Sequence, residues 1–301
     1  MTYNLENKLV IAISSRALFD LEEANRVFEQ DGLDAYREYQ VQREDEPLAP
    51  GTGFPLVRAL LSINERGKGD LIEVVLVSRN DADTGLRVMN SLEVHRLPIC
   101  RAGFTDGRPP YQYLTPFFCD LFLSANEEDV RSALKAGFAA GLVYQPPEPV
   151  ESDDSEVRIA FDGDAVLFSP DAEQIYRDEG LVEFHRRERE SADEPMAPGP
   201  FKAFVTAIHR LQREFPEDQC PIRTALVTAR SAPAHKRAIK TLRTWEVRLD
   251  ESFFLGGLSK DGVLKVFRPH IFFDDQTVYC DPAAIQTPTA RVPADYPVKE
   301  V

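Results

Sequence analysis

The chain repeats itself, and the repeat limits what it can fold into. Ala17 to Val57 can be laid on Ala165 to Val205 at a constant offset of 148 residues without a gap. Gly32-Leu33 then falls on Gly180-Leu181, and Asp45-Glu46-Pro47-Leu48-Ala49-Pro50-Gly51 falls on Asp193-Glu194-Pro195-Met196-Ala197-Pro198-Gly199. Further on, Val75-Leu76-Val77-Ser78 matches Ala225-Leu226-Val227-Thr228 at an offset of 150, and Phe122-Leu123 matches Phe254-Leu255 at 132. A register match of this length does not arise by chance, so the chain is expected to hold two halves built on one plan. The segment from Gln145 to Glu156 is rich in proline and acidic residues that cannot pack a core, and it reads as a linker. The expected organisation is a first domain over 1–144, a linker over 145–156 and a second domain over 157–301.

Within each half, short apolar runs alternate with helical patterns. Val157–Phe161, Thr224–Val227 and His270–Phe273 read as buried strands, while 201–215 and 235–245 carry apolar residues at helical spacing. Ala238, Ile239, Leu242 and Trp245 form one stripe, read as packing against a sheet. Alternation of this kind predicts an α/β fold in which each half is a parallel sheet covered by helices, with ligands beyond the carboxyl ends of the strands.

Candidate chemistry is expected at those strand ends. After Val157–Phe161 comes Asp162-Gly163-Asp164. Extended geometry puts both carboxylates on one side, where they repel until a divalent cation relieves them. The run Thr224–Val227 leads into Thr228-Ala229-Arg230, where a hydroxyl and backbone N–H groups could meet a phosphate or simply cap a helix. Lys260 precedes another helical segment, with Lys265 five residues on as its alternative. Asp274-Asp275 follow Ile271-Phe272-Phe273, and such hard oxygen ligands suit magnesium.

The ordered set Asp162-x-Asp164, Thr228, Lys260 and Asp274-Asp275 resembles the four signature motifs of the haloacid dehalogenase superfamily. The longer strings from Ala160 to Ser169, Leu226 to Ala232 and Arg268 to Gln276 resemble more narrowly the cytosolic 5'-nucleotidases of type I, as does Ile13-Ser14-Ser15-Arg16-Ala17-Leu18-Phe19. The resemblance covers nearly the whole chain and implies two Rossmannoid halves. It implies Asp162 as the nucleophile that forms an aspartyl-phosphate and Asp164 as general acid and then base. Thr228 and Lys260 would hold phosphoryl oxygens, with Ala229, Arg230 and Arg16 as further substrate contacts. Magnesium would be held by Asp162, the backbone carbonyl of Asp164, and Asp274 or Asp275. The substrate implied is a nucleoside 5'-monophosphate. A sugar phosphate, or a catalytically silent nucleotide-binding role, stays open as an alternative.

The bulk numbers fit this expectation. The formal charge of −15 opposes binding to a nucleic-acid polymer, and a small anion would need a metal or focused cations. No apolar run reaches bilayer length and the first residues lack the pattern of a secretory signal, so a cytoplasmic location without membrane attachment is expected. Cys100, Cys119, Cys220 and Cys280 have no metal or redox spacing, and His95, His185, His209, His235 and His270 are read as structural or surface residues. A homo-oligomer is left open.

At the position of Asp162-Gly163-Asp164 the first half carries Ser14-Ser15-Arg16. In the 132 register, Leu142-Val143 oppose Asp274-Asp275 and Glu128 opposes Lys260. The first half is therefore expected to be degenerate and to perform no chemistry, with Ser14, Arg16, Ser78, Asn80 and the loop Gly103–Gly107 available for nucleoside or effector contacts.

Overall fold

Apolar runs flanked by turn residues form the strands, and amphipathic segments between them form the helices. The computed structural model of the chain describes residues 4–66, 69–145 and 156–294. Two units divide it, Met1–Val157 and Arg158–Val301. The expected linker falls almost wholly on 146–155, outside the described residues.

The first unit contains β1 (Leu9–Ile13), α1 (Ser15–Leu18), α2 (Glu22–Gln42), α3 (Phe54–Ser62), β2 (Ile72–Ser78), α4 (Ala82–Val94), β3 (Arg101–Phe104), β4 (Leu121–Ser124), α5 (Glu127–Lys135) and β5 (Ala139–Val143). Its strand order is β3-β2-β1-β4-β5, with every neighbouring pair parallel. The second unit contains β6 (Val157–Phe161), α6 (Asp171–Glu190), α7 (Lys202–Gln212), β7 (Ile222–Thr228), α8 (His235–Thr244), β8 (Glu251–Phe254), α9 (Asp261–Phe267), β9 (Ile271–Asp274), α10 (Thr277–Ala284) and β10 (Thr289–Arg291). Its strand order is β8-β7-β6-β9-β10. The α/β architecture of parallel strands flanked by helices is as expected.

Strands buried on both faces need apolar residues at nearly every position. β1 and β2 are buried throughout. In the second unit, alternate residues feed two cores. Ala160, Val227 and Phe272 pack with Leu264 and Phe267 of α9 and Ala283 of α10. Phe161 and Phe273 stack at 5.7 Å on the other face, where Phe201 and Phe204 meet them. The stripe expected on α8 is shifted. Ala238 and Leu242 are buried beside Thr241, but Ile239 is 41% exposed, because the sheet-facing line runs through 238, 241, 242 and 245.

The recurring Pro-x-Ala-Pro-Gly string has a structural reason. Ser169 N donates to Ala197 O and Gly199 N to Leu167 O, so the string lies against the turn that follows Asp164. A Cβ at Gly199 would come within 2.4 Å of the Val166 carbonyl oxygen and 2.5 Å of that of Phe168. Only glycine allows this approach. Gly199→Ala is expected to lower stability by roughly 1–3 kcal/mol, read as a fall in the urea midpoint. An unchanged midpoint would mean that the turn yields freely.

The same bonds correct the gapless register. In the first unit Asp20 N donates to Ala49 O and Gly51 N to Leu18 O. Leu18 thus bonds to its string as Leu167 does and Asp20 as Ser169 does, a local offset of 149, with one more residue between Asp164 and Leu167 than between Arg16 and Leu18. Ala165 accommodates it at φ 58°. The 132 register also fails. β4 pairs with β1 as β9 pairs with β6, whereas Phe254 lies on β8, next to β7. Ser124-Ala125, not Leu142-Val143, occupy the place of Asp274-Asp275. At the same offset of 150, Pro110 rather than Glu128 opposes Lys260.

Candidate active site

The chain leaves β6 for β7 on one side and later returns to β9 on the other, so the strand order reverses between β6 and β9. In open α/β sheets the crevice for ligands lies at this reversal, beyond the strand ends. Phe161 pairs with Phe273, and Asp162 N donates to Phe273 O at 2.8 Å. The register thus sets Asp162 beside Asp274, the last residue of β9.

Lys260 joins them. It is the N-cap residue of α9, 1% exposed, and its Nζ donates to Asp162 Oδ1 at 2.5 Å and to Asp274 Oδ2 at 2.6 Å. The Tyr279 ring covers the ammonium at 4.4 Å. Lys265, the alternative lysine, is exposed. Burial acts to lower the Lys260 pKa, but Asp162 and Asp274 outweigh it and raise it.

Asp162, Asp274 and Asp275 place carboxylate oxygens within 4.8 Å of one another, all buried. One ammonium does not balance three carboxylates. Burial pushes Asp162 up to about 7 against the downward pull of Lys260, with Asp274 and Asp164 adding to the rise. Burial raises Asp274, and burial followed by Asp274 and Asp162 raises Asp275 well above the carboxylate range. A buried group of hard oxygen donors carrying excess negative charge fits a metal ion, which would supply the missing positive charge.

Thr228 ends β7 and is buried. Its Oγ1 accepts from Arg230 N at 3.3 Å, and a Cβ on Gly163 would lie 3.1 Å from it, so Gly163 keeps the hydroxyl close to the Asp162 turn. Ala229, half-buried, follows it. Arg230 has other partners than the substrate contact expected from the sequence. Its Nε and Nη2 donate to Asp164 at 2.8 and 2.7 Å, and its Nη1 donates to Glu188 at 2.5 Å. Arg237 donates to the other Glu188 oxygen at 2.9 Å. Arg230 and Glu188 side chains are each 2% exposed. Asp164 therefore directs its carboxylate to this buried network and not to the Asp162, Asp274 and Asp275 cluster. Arg16 belongs to the first unit, where it pairs with Glu22 at 2.7 Å.

Glu173 was not anticipated. It lies in the first turn of α6 and accepts from Gln276 Nε2 at 2.9 Å. Burial raises its pKa against the pull of Arg177, and the charges of Asp164 and Asp162 add to the rise. His270, expected to be structural, is buried with Nδ1 accepting from Arg158 N at 3.0 Å.

A family model described as 5'-nucleotidase matches residues 1–299. The chain belongs to the 5'-nucleotidase family. This family member is 38% identical over 289 residues to cytosolic 5'-nucleotidase 1B of Homo sapiens, across 92% of this chain and 47% of that protein. It thus spans about half the length of the curated relative it matches. Among solved structures it is similar to histidinol dehydrogenase from Elizabethkingia anophelis at a TM-score of 0.23 and 10% identity, over 95% of this chain and 52% of that one. A likeness that weak carries no argument. Among the described residues no helix is long and apolar enough to cross a membrane.

Proposed function

We propose that the second unit of this 5'-nucleotidase family member hydrolyses nucleoside 5'-monophosphates to nucleoside and phosphate, with magnesium as cofactor. The observation that carries the reading is Lys260 bridging Asp162 and Asp274 inside a buried carboxylate cluster at the strand reversal. The name of the similar human protein supports the substrate class and a cytoplasmic location.

Asp162 is the nucleophile. Its carboxylate oxygen bonds to phosphorus as the bond from phosphorus to the ribose 5' oxygen breaks, and Asp164 delivers a proton to that oxygen. Water then attacks the aspartyl-phosphate, Asp164 takes its proton, and phosphate leaves with Asp162 restored. The Thr228 hydroxyl and Lys260 hold phosphoryl oxygens. Asp162, the Asp164 backbone carbonyl and Asp274 or Asp275 would hold magnesium, which would supply charge neutralisation. The Arg230 fork fixes the Asp164 carboxyl in place through two hydrogen bonds. In the acid step Asp164 carries a proton, and Glu188 keeps Arg230 in place.

Helix α6 supplies the other half of the substrate site in this reading. Tyr176 lies three residues beyond Glu173, hence on the same helix face, is 50% exposed, and meets Phe184 edge to face at 6.1 Å. Gly180 at φ 84° breaks α6 between the two rings. We assign this aromatic pair to the nucleobase. Rates with nucleoside monophosphates and with sugar phosphates test the substrate class, and faster turnover of sugar phosphates would overturn it.

Asp164→Asn is expected to slow nucleoside monophosphates by about 100-fold or more, and p-nitrophenyl phosphate far less, since its leaving group needs little protonation. Equal losses on both would assign Asp164 a structural role with Arg230.

The reading also takes the two units as copies of one plan, one silent, with the domain limits expected from the sequence. Paired details support it. Arg87 donates to Gln40 at 3.0 Å as Arg237 does to Glu188, and Arg87 Nε reaches Glu46 O as Arg237 Nε reaches Glu194 O. Leu48 N donates to Ser91 Oγ as Met196 N does to Thr241 Oγ1.

A further inference from the structure

The first unit keeps a cleft of about 410 Å³ at its own strand reversal, between the ends of β1 and β4. Ligand pockets have this size, and the expected catalytic charge is absent from it. Ser14 stands for Asp162, Ser78 for Thr228, Asn80 for Arg230 and Ser124 for Asp274. The cations that line the cleft are already occupied. Arg16 pairs with Glu22 at 2.7 Å and Arg79 with Asp129 at 2.6 Å. A phosphate would find neither a free ammonium nor a carboxylate cluster to hold its metal.

The aromatic half of the site has been retained. Phe28 and Tyr36 occupy the places of Tyr176 and Phe184 and line the cleft. They meet edge to face at 6.0 Å, and Gly32 at φ 86° breaks α2 between them as Gly180 breaks α6. Phe28 is 48% exposed. An aromatic face left half open in a cleft is a surface on which a planar ring can stack. Tyr36 is fixed in turn, because Asn80 Nδ2 donates to its hydroxyl at 2.9 Å and Gln40 Nε2 at 3.1 Å. Asn80 Oδ1 accepts from Ser15 and Ser78, both at 2.7 Å. The Ser14 and Ser124 hydroxyls each accept one backbone N–H, from Ala17 and Asn126, and retain their protons for a ligand oxygen.

We propose that this cleft binds a nucleoside, with its base on Phe28 and Tyr36 and its ribose hydroxyls on Ser14 and Ser124, and that it does not take the phosphate. The ligand class rests on the nucleotidase reading of the second unit. The site itself rests on the first unit alone.

The test is equilibrium dialysis of the full chain, with a chelator present to stop turnover, against adenosine, guanosine, cytidine, uridine and their 5'-monophosphates. At least one nucleoside is expected to bind the unaltered chain. Its binding weakens by about tenfold or more in Phe28→Ala, by about three- to tenfold in Ser124→Ala, and is retained in Tyr176→Ala. Initial rates of phosphate release stay unchanged in Phe28→Ala and Ser124→Ala. Nucleoside binding that ignores both first-unit changes, or no nucleoside binding at all, overturns the inference. So does a monophosphate that binds more tightly than its nucleoside and depends on Phe28. Absence of phosphate release from the unaltered chain defeats the nucleotidase reading instead, and dialysis still reads the cleft.

Discussion

Asp162→Asn is expected to lower kcat for nucleoside monophosphates by about four orders of magnitude or more while the chain stays folded. Asparagine has the same shape but lacks the charge that attacks phosphorus and helps to hold the metal. Folding tolerates the change for a reason visible in the site. Burial and neighbouring carboxylates already push Asp162 up to about 7, so removing its charge relieves a repulsion. Lys260 keeps Asp274 as its partner at 2.6 Å. Steady-state rates, with circular dichroism to confirm the fold, check the result. A folded variant within tenfold of the parent would remove Asp162 from the mechanism.

Arg230→Met is expected to cost about 3–5 kcal/mol of stability as well as activity. Arg230 is the shared cation of two carboxylates, and its removal leaves Asp164 without its fork and Glu188 with Arg237 alone. A buried ion pair contributes little compared with an apolar replacement of both partners, but deleting one partner strands the other. Glu188→Gln should cost less than Arg230→Met without being neutral. Arg230 keeps Asp164, but the new amide N–H group faces one of the two guanidinium groups that Glu188 bridges. Gln40 avoids that clash because it accepts from one guanidinium, that of Arg87, and Asn80 stands in the place of Arg230. Urea midpoints of the two variants separate these effects. Equal midpoints for Arg230→Met and the parent would show that the network does not hold this part of the fold.

The parts of the site that were legible in the sequence are those that end strands. Asp162, Thr228 and Asp274 each follow a short buried run, and the parallel fold brings such ends together, so a one-dimensional pattern was enough. Lys260 was readable as the start of a helix. Glu188 and Arg237 were not, because a charged residue on a helical segment looks like surface decoration until its partner is known. Glu188 meets Arg230 across 42 positions of chain. Arg230 was read as a substrate contact because the sequence shows a cation just past a strand end and conceals the two carboxylates, Asp164 and Glu188, to which it donates.

The repeat was legible for a different reason. Glycines and prolines with fixed backbone duties mark it, such as Gly199 pressed on carbonyl oxygens and Gly32 and Gly180 at the helix breaks. Short apolar matches carry no such mark. Phe122-Leu123 and Phe254-Leu255 agree in letters but belong to β4 and to the segment from β8, which have different neighbours. That accident produced the 132 register and the wrong counterparts for Lys260 and Asp274. The extra residue after Asp164 was also hidden, because alanine at φ 58° is a cost that only the surrounding turn explains.

The most direct measurement is phosphate release from nucleoside 5'-monophosphates by the full chain, in magnesium and in excess chelator. Release that requires magnesium and disappears in Asp162→Asn is the predicted result. Release that persists in chelator, or that survives in the folded Asp162→Asn chain, would contradict the account.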